Sequence, residues 1–339
     1  MKRVAVVAAL VAALAAGCGG GGGFLADDDD LVVYSGREEA LIGPLVERFE
    51  EQSGLDVAVR YANSAELAAT LAEEGDGSPA DVFWAQDPGS LGAVESEGLL
   101  AELPASILDR VPERLRDPDG RWVGVSGRVR VIAYNTDALS EDEVPDTVDA
   151  LTDPRWKGKI GIAPPNASFQ AFVSAMRLQR GDVATRNWLE AVKDNEPRFY
   201  ENNIAILEAL AEGEIELGLV NHYYLSLIKA ENPDAPVANH FLNEGDVGGL
   251  VSVAGAGVLA DSDKTQEAQQ FVEFLLSDEG QRFYAEEAEE AEYPLVDGIE
   301  PREGLPPLEL LHGPEIALDQ LGLELETTLE LLADVGFTV

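Results

Sequence analysis

The chain is poor in cysteine and in basic residues, and each shortage excludes a class of protein. One cysteine among 339 residues rules out a disulfide within a single chain. Lys and Arg total 23 against 64 Asp and Glu, a formal net charge of −41. Such a surface repels nucleic acid and anionic lipid. Because the acidic residues occur in nearly every segment, we interpret them as an adaptation of the whole surface to a saline habitat rather than as one site.

Hydrolytic motifs are also missing. The sequence has no Gly-x-Ser-x-Gly elbow and no histidine-carboxylate metal motif, and its only cysteine, Cys18, precedes the predicted fold. These absences argue against a secreted hydrolase. A purely structural surface protein is an alternative, although it would not require ordered motifs around a cleft.

The amino terminus has the pattern of a targeting segment. Two basic residues, Lys2 and Arg3, precede a short apolar run over 4–14, and small residues follow it. That run is too short to span a bilayer stably. We predict that the chain is exported.

The end of this segment, Leu14-Ala15-Ala16-Gly17-Cys18, resembles a bacterial lipoprotein signal. The resemblance implies that residues 1–18 are a signal peptide ending at an acylated Cys18, which would anchor the protein on the extracytoplasmic face of the membrane. Ordinary secretory cleavage near Ala16 is the alternative. The Gly- and Asp-rich segment 19–30 is predicted to be a flexible tether.

From Leu31 the chain alternates apolar strands with amphipathic helices. Strands are predicted over 31–34, 56–61 and 80–85, with helices over 38–51 and 65–73. This βαβαβ order indicates an α/β fold with a parallel sheet, in which ligand-binding loops follow the carboxyl ends of the strands. Those loops are Ser35-Gly36-Arg37, Asn63-Ser64 and Gln86-Asp87.

A second α/β unit follows. Its predicted strands cover 129–134, 159–163 and 215–220, and its predicted helices cover 169–180, 183–193 and 204–211, with another beginning near Leu225. The glycine-broken apolar stretch 248–259 is suited to return the chain across a hinge. From Lys264 onwards we predict a mostly helical remainder.

Two adjacent tyrosines form the most informative motif. In Asn221-His222-Tyr223-Tyr224 they follow the last predicted strand of the second unit, where ligands usually dock. Phenolates can bind a small, highly charged cation that draws off their protons. The alternative is that both rings pack in a core or an interface. Since adjacent side chains diverge, we expect His222 to point away from the target of the pair.

Seven segments, taken in order, resemble the periplasmic ferric-ion-binding proteins, the extracytoplasmic receptors of iron ABC importers. They are Val33-Tyr34-Ser35-Gly36, 78–83, 126–131, 156–161, 213–215, 221–224 and Glu292-Tyr293-Pro294-Leu295. The resemblance implies a type II periplasmic binding protein fold, in which two α/β lobes are joined by two crossing hinge strands near 126–134 and 249–257. Lobe one would comprise 31–128 and the return segment and C-terminal helices 254–339, and lobe two would comprise 129–253.

The resemblance also implies a set of iron ligands. Tyr223 and Tyr224 take the places of the two tyrosine ligands, and Glu38 and Gln86 take those of a histidine and a glutamate found in some members. Glu38 can act as a hard anionic donor, or can simply be stabilised by the dipole of the following helix. Gln86 is expected to bond an anion or water, since it is uncharged. A third tyrosine of other members falls near Phe169, which has no hydroxyl.

The anion-binding positions of the family match residues around the predicted cleft. These are Asp87, Asn166, Ala167, Ser168, Asn203 and Asn221. The segment 166–168 precedes a helix, whose free N–H groups suit an anion. We expect Arg37, Arg128 or both to supply positive charge, although each can instead pair with a nearby carboxylate.

The function implied is capture of Fe(III) by closure of two lobes and delivery to an ABC permease. Because two tyrosines do not fill the coordination shell of iron, carbonate, phosphate or citrate is expected as a co-ligand. A receptor of the same fold for a metal-free organic or phosphate-type anion is the alternative, since Arg128, Ser168 and Asn203 suit it equally. We expect a monomer with no nucleic acid partner.

Overall fold

The computed structural model describes residues 26–337, where the strands form one mixed sheet. Cys18 and the predicted signal peptide lie outside these residues. The strands are β1 (Leu31–Ser35), β2 (Val57–Tyr61), β3 (Val82–Ala85), β4 (Val123–Asn135), β5 (Ile160–Ile162), β6 (Arg198–Phe199), β7 (Leu217–Asn221), β8 (Val237–His240) and β9 (Val251–Val258). Their order across the sheet is β2-β1-β3-β9-β4-β7-β5-β6, and β8 also pairs with β4.

Helices lie between the strands and after the last of them. The α-helices are α1 (Glu39–Ser53), α2 (Ser64–Glu74), α3 (Pro88–Ser96), α4 (Ala105–Leu108), α5 (Ala167–Arg180), α6 (Asp182–Asp194), α7 (Asn203–Ala211), α8 (Tyr224–Glu231), α9 (Thr265–Leu275), α10 (Asp278–Arg282), α11 (Gln320–Leu323) and α12 (Leu325–Val335). Short 3-10 helices occupy Gly75–Gly77, Glu113–Leu115, Glu141–Glu143, Val148–Thr152, Pro154–Trp156, Val247–Gly249 and Leu308–Leu310, and Phe283–Glu287 is a π-helix. Within 26–337, no helix has the length and apolar character needed to cross a membrane.

The first unit follows its predicted periodicity. All five residues of β1 are buried, and β1 pairs in parallel with both β2 and β3. In α1 the positions that face this sheet, Ile42, Leu45, Val46 and Phe49, recur at helical spacing and are buried. The helix ends at Gly54, whose φ of 73° is a left-handed conformation that glycine adopts without strain.

Two long strands join the halves of the sheet. The 13-residue β4 is buried throughout and pairs antiparallel with β9 over Val123–Val129, then with β7 from Arg130 onwards. The strand β9 also pairs with β3 of the first unit. The two crossing strands predicted from the sequence are therefore present. The predicted strand over 129–134 is only the second part of β4.

The C-terminal region differs from the predicted helical remainder. Between 288 and 319 the chain is largely extended or irregular, because prolines at 294, 301, 306, 307 and 314 lack the N–H that a helix needs. The helix α11 then packs on α3 so closely that a Cβ added to Gly89 would lie 2.9 Å from the Cα of Gly322. These two glycines let the backbones touch.

The last helix packs on the second half of the molecule. Contacts of α12 are with α5 and α6, including a hydrogen bond of 2.8 Å between the hydroxyls of Ser174 and Thr328. Arg177 of α5 also donates to the Thr328 hydroxyl at 3.0 Å. This packing differs from the expectation that all of 254–339 belongs to lobe one, since the apolar face of α12 is covered by lobe-two helices.

Candidate functional site

The tyrosine pair lies at the carboxyl end of β7. This strand ends at Asn221, and Tyr224 is the first residue of α8. The two rings are 4.4 Å apart between centroids and inclined by 36°. Tyr223 is 3% exposed, whereas Tyr224 is only partly buried. The pair is thus held together at a strand-to-helix turn, with one ring covered and the other reaching solvent.

Burial controls the protonation of Tyr223. Loss of solvent raises its pKa well above the ordinary value, nearby Tyr224 and Glu290 raise it further, and Arg128 lowers it. The side chain is therefore a neutral phenol in the metal-free protein. A strongly charged cation is needed to remove its proton.

His222 contacts the ring of Tyr223 edge-on, with the ring centroids 5.7 Å apart, and directs both of its nitrogens to backbone groups. Its Nδ1 accepts the backbone N–H of Val129 at 3.2 Å, so the proton resides on Nε2, which donates to the carbonyl of Ala291 at 2.8 Å. Burial lowers the pKa of His222 to about 4. This neutral imidazole connects the β7–α8 turn to the segment 288–293, and both of its nitrogens are occupied by backbone partners.

Three of the predicted anion-binding residues meet at the start of α5. Asn166 caps the helix, and its Oδ1 accepts from the Ser168 N–H at 3.0 Å, from the Ser168 hydroxyl at 2.6 Å and from Asn203 Nδ2 at 3.2 Å. Asn203 is 1% exposed, and its own Oδ1 has no hydrogen-bond partner. The cluster joins a helix amino terminus to buried amide groups, which is the chemistry an anion requires.

Arg130, which the sequence analysis did not select, supplies the positive charge beside this cluster. Its Nη1 donates to the Ser168 hydroxyl at 2.9 Å, and its Nη2 to the carbonyl of Leu219 at 3.0 Å. The side chain is 3% exposed and has no ion pair with any carboxylate in the described part of the chain. Burial lowers its pKa to about 10, and the phenols of Tyr224 and Tyr223 oppose that effect. The sequence feature that could have identified Arg130 is the alternation in Arg128-Val129-Arg130, which puts both arginines on the same face of a strand.

The two arginines that were selected are engaged elsewhere. Arg37 binds Glu292 through two hydrogen bonds, of 3.1 and 2.8 Å, in a fully buried pair. Arg128 donates to the carbonyls of Gln86 and Val253, and its Nη1 lies 3.8 Å from Glu292. For Arg37, the pairing with a carboxylate that the sequence left open is therefore realised.

Glu292 is the centre of that network. Burial alone would raise its pKa, but Arg37 and Arg128 outweigh this effect and hold the pKa of Glu292 below its ordinary value. The hydroxyl of Ser126 also donates to it at 2.8 Å. Both oxygens of this carboxylate are thus occupied within the protein.

The other predicted residues are dispersed around the site. Glu38 is exposed at the start of α1 and makes no capping hydrogen bond. Gln86 is half-buried, and its backbone N–H bonds the Ser64 hydroxyl at 2.8 Å. Asp87 caps α3 by accepting from the N–H and the hydroxyl of Ser90, at 2.8 and 2.9 Å, so its carboxylate does not face an anion.

Two further positions that the resemblance singled out are Asn221 and Phe169. Asn221 is buried and lies opposite Arg130 in the β4–β7 register, which places it beside the cluster at α5. Phe169, where a third tyrosine would stand, is 1% exposed and packs against Phe172 and Phe337. That side chain contributes apolar packing and no oxygen ligand.

Glu290 is the second residue missed from the sequence. Its side chain is 22% exposed and lies 3.8 Å from Arg37 Nη2, and its Oε2 is buried without a hydrogen-bond partner. Burial and the charge of Glu292 raise its pKa to about 7. No sequence signal separates it from the other glutamates of the acidic run 286–292.

The assembled site offers phenol oxygens, a carboxylate and a buried cation. Between Ala26 and Phe337, no group of three or more His, Cys, Asp and Glu side chains is arranged to hold a metal ion. The candidate oxygen donors for a metal at this site are the hydroxyls of the two tyrosines and the carboxylate of Glu290. Oxygen donors of this kind suit a hard trivalent cation, and Arg130 with its neighbours suits an anion.

Comparison with known proteins agrees with this chemistry. Residues 77–306 match the bacterial extracellular solute-binding protein family. The Fe(3+)-binding periplasmic protein of Serratia marcescens is 32% identical over 308 residues, which cover 90% of each chain. Iron-bound HitA from Pseudomonas aeruginosa superposes with a TM-score of 0.82 at 34% identity, over 91% of this chain and 99% of HitA.

A third relative contains a co-ligand. FutA from Trichodesmium, solved in complex with iron and citrate, has a TM-score of 0.82 at 29% identity and covers 91% of this chain and all of its own. The predicted two-lobe fold and the expectation of a binding protein are confirmed by these relatives, which also assign the chain to the extracytoplasmic side of the membrane. The chain belongs to the bacterial extracellular solute-binding proteins, among the relatives of the ferric-iron-binding periplasmic receptors.

Proposed function

We propose that the protein captures ferric iron between its two halves, with Tyr223 and Tyr224 as ligands and an anion held at Arg130. The observation that carries this proposal is the position of two adjacent phenols beside a buried arginine that has no carboxylate partner. Carbonate, hydrogen phosphate or citrate would occupy the cluster formed by Arg130, Ser168 and Asn203.

Charge balance supports the anion. Ferric iron bound by two phenolates retains one positive charge, and Arg130 adds a second in the same buried region. Unpaired charge in a protein interior is costly. A doubly charged anion that touches both the iron and Arg130 neutralises them together.

Binding releases protons from the two phenols. Because burial raises the pKa of Tyr223 in the metal-free state, iron must compete with a firmly held proton. Closure of the two halves would bring oxygen atoms of the first unit to the iron. We propose Glu38 and Gln86 as the donors from that unit. We expect acid to weaken iron binding.

The proposal is tested by titration with ferric citrate. Iron bound to phenolate absorbs visible light, so the wild type should develop a visible band at one iron per chain. The Tyr223→Phe plus Tyr224→Phe variant should show none. Tyr134→Phe, which removes a hydroxyl from β4 away from the pair, is the matched control and should retain the band. A band of wild-type strength in the double variant would refute the assignment.

A second function, a receptor for a metal-free anion, is favoured by the same unpaired Arg130. Calorimetry of the iron-free protein with inorganic phosphate and with citrate separates the two. Iron capture predicts weak anion binding that strengthens when ferric iron is added. Tight phosphate binding by the iron-free protein, unaffected by loss of both tyrosine hydroxyls, would establish the alternative.

We also propose that a lipid on Cys18 anchors the receptor beside the ABC permease that accepts its iron. Expression of Cys18→Ser should move the protein from the membrane fraction to the soluble exported fraction, and mass spectrometry should find the lipid only on the wild type. An unmodified Cys18 in membrane-bound protein would contradict this.

A further inference from the structure

Glu290 has an unusual environment for a carboxylate. Its Oε2 is buried and accepts no hydrogen bond, while its closest cation, Arg37 Nη2, is 3.8 Å away. That arginine already donates two shorter bonds to Glu292. Glu290 Oε2 therefore remains without a hydrogen bond, whereas both oxygens of Glu292 are bonded.

The segment that carries Glu290 is fixed against the tyrosine turn. The Ala291 carbonyl accepts from His222, and Tyr293 exchanges two backbone hydrogen bonds with Gly127, at 2.8 and 2.7 Å. Glu292 is held by Arg37 and by Ser126. These bonds on both sides of Glu290 leave its backbone little freedom.

This arrangement places the carboxylate within electrostatic reach of the metal-binding pair. Its charge acts on Tyr223, and the charge of Glu38 acts in turn on Glu290. Geometry supports this proximity, because the Ala291 carbonyl, next to Glu290, is hydrogen-bonded at 2.8 Å to His222, next to Tyr223.

We propose that Glu290 is a carboxylate ligand of the cation bound by Tyr223 and Tyr224, contributed by the opposite wall of the site. This inference rests on the proposed function, and it names a third oxygen donor from the protein, which Phe169 cannot supply. On binding, the Oε2 lone pair forms a bond to iron, and the two phenol protons leave to solvent.

Glu290 also balances the charge of the arginines nearest to it. Arg37 and Arg128 carry two positive charges near it, and Glu292 and Glu290 carry two negative charges. The two arginines favour the ionised form of Glu290, whose Oε2 has no hydrogen-bond partner. A hard cation replaces the hydrogen bond that this oxygen lacks.

The test compares Glu290→Gln with Glu289→Gln, which removes a charge from the exposed neighbour. Each variant and the wild type is titrated with ferric citrate, the visible band is recorded, and iron affinity is measured by competition with excess citrate. Loss of a charged ligand makes the iron more electron-poor, so the band of Glu290→Gln should move to longer wavelength. Its iron affinity should fall by about ten- to a hundredfold. Glu289→Gln should match the wild type.

Glu290→Asp is a second variant that tests the same role if Glu290→Gln does not fold. It keeps a carboxylate, so its band should stay near the wild-type wavelength even if its shorter side chain lowers affinity. Thermal unfolding of the iron-free variants verifies that each is folded.

The outcomes separate the two proposals. A wild type with no band refutes ferric capture itself. A wild type with a band and a Glu290→Gln variant that shares its wavelength and affinity overturns the role of Glu290 alone. Reduced affinity without a wavelength shift also overturns coordination, because it shows that Glu290 only positions the segment.

Discussion

The two walls of the site, one from each unit, differ in whether their buried arginines are paired with a carboxylate. On the first-unit wall, Arg37 and Arg128 are matched by Glu292, and Arg37 meets it in a bidentate, fully buried pair. On the second wall, Arg130 is equally buried but has only neutral partners, the Ser168 hydroxyl and the Leu219 carbonyl. The first set of charges holds the protein together. The second contains a buried positive charge without a carboxylate partner, which we propose is neutralised by a bound anion.

The largest effect is expected from breaking the paired wall. Glu292→Gln keeps the size of the side chain and leaves Arg37 and Arg128 without their shared anion, so the free energy of unfolding should fall by about 3–5 kcal/mol. Urea unfolding of the iron-free protein measures it. Glu287→Gln, which removes an exposed partner of Arg48, is the control and should cost about 1 kcal/mol or less. Equal losses in the two variants would show that the buried network has no special importance.

His222, which ties the walls together, should make stability depend on pH. Its folded pKa of about 4 lies below the ordinary value of 6.5, so the unfolded chain takes up the proton first as pH falls. Stability from this residue is complete above pH 6.5 and declines towards pH 4, by roughly 3 kcal/mol in all.

His222→Gln provides the comparison, because an amide can accept from Val129 and donate to Ala291 without titrating. Unfolding free energies measured from pH 7 to pH 4 should decline less steeply in the variant than in the wild type. Parallel curves would mean that protonation of His222 is not coupled to unfolding.

Removing charge from the unpaired wall should affect binding more than stability. Arg130→Met keeps most of the volume of the side chain, so the melting temperature of the iron-free protein should stay the same or rise. Loss of charge-assisted hydrogen bonds should lower the affinity for phosphate, measured by calorimetry with ferric iron present, by about ten- to a hundredfold. A variant that unfolds easily but binds phosphate normally would reverse the assignment of the two walls.

The smallest effect is expected where two acidic groups lie beside each other, at Glu95 and Asp117. Glu95 shares a proton with Asp117, and burial together with that neighbour raises the pKa of Glu95 to about 7. Stability is therefore lost as pH rises from about 4.5 to 7, so Glu95→Gln should raise the melting temperature at pH 8 and change it little at pH 4.5. A lower melting temperature at pH 8 would contradict this reasoning.

Sequence periodicity predicted the framework well. The strands β1, β2, β3 and β7 and the helices α1, α5 and α7 appear within a few residues of their predicted limits, because each carries an apolar face at the spacing of its structure. The two-residue β6 and the short, partly exposed β8 were not predicted, since neither has enough alternation to stand out.

Side-chain roles within the site were harder to predict. Arg128 and Arg130 are two residues apart on one strand, and periodicity alone gives them the same face. The difference arises because β4 changes partner between them, from β9 to β7, so one arginine meets Glu292 and the other meets Ser168. The proposed role of Glu290 could not be predicted from the sequence for a similar reason, because it depends on contacts with residues distant in the chain.

The contact of α11 with α3 and of α12 with α5 and α6 adds a third link between the halves, beside the two crossing strands. Three attachment points should resist shear and separation of the halves more than two crossing strands alone. A side chain added at Gly89 or Gly322 would meet the opposing backbone and force α3 and α11 apart.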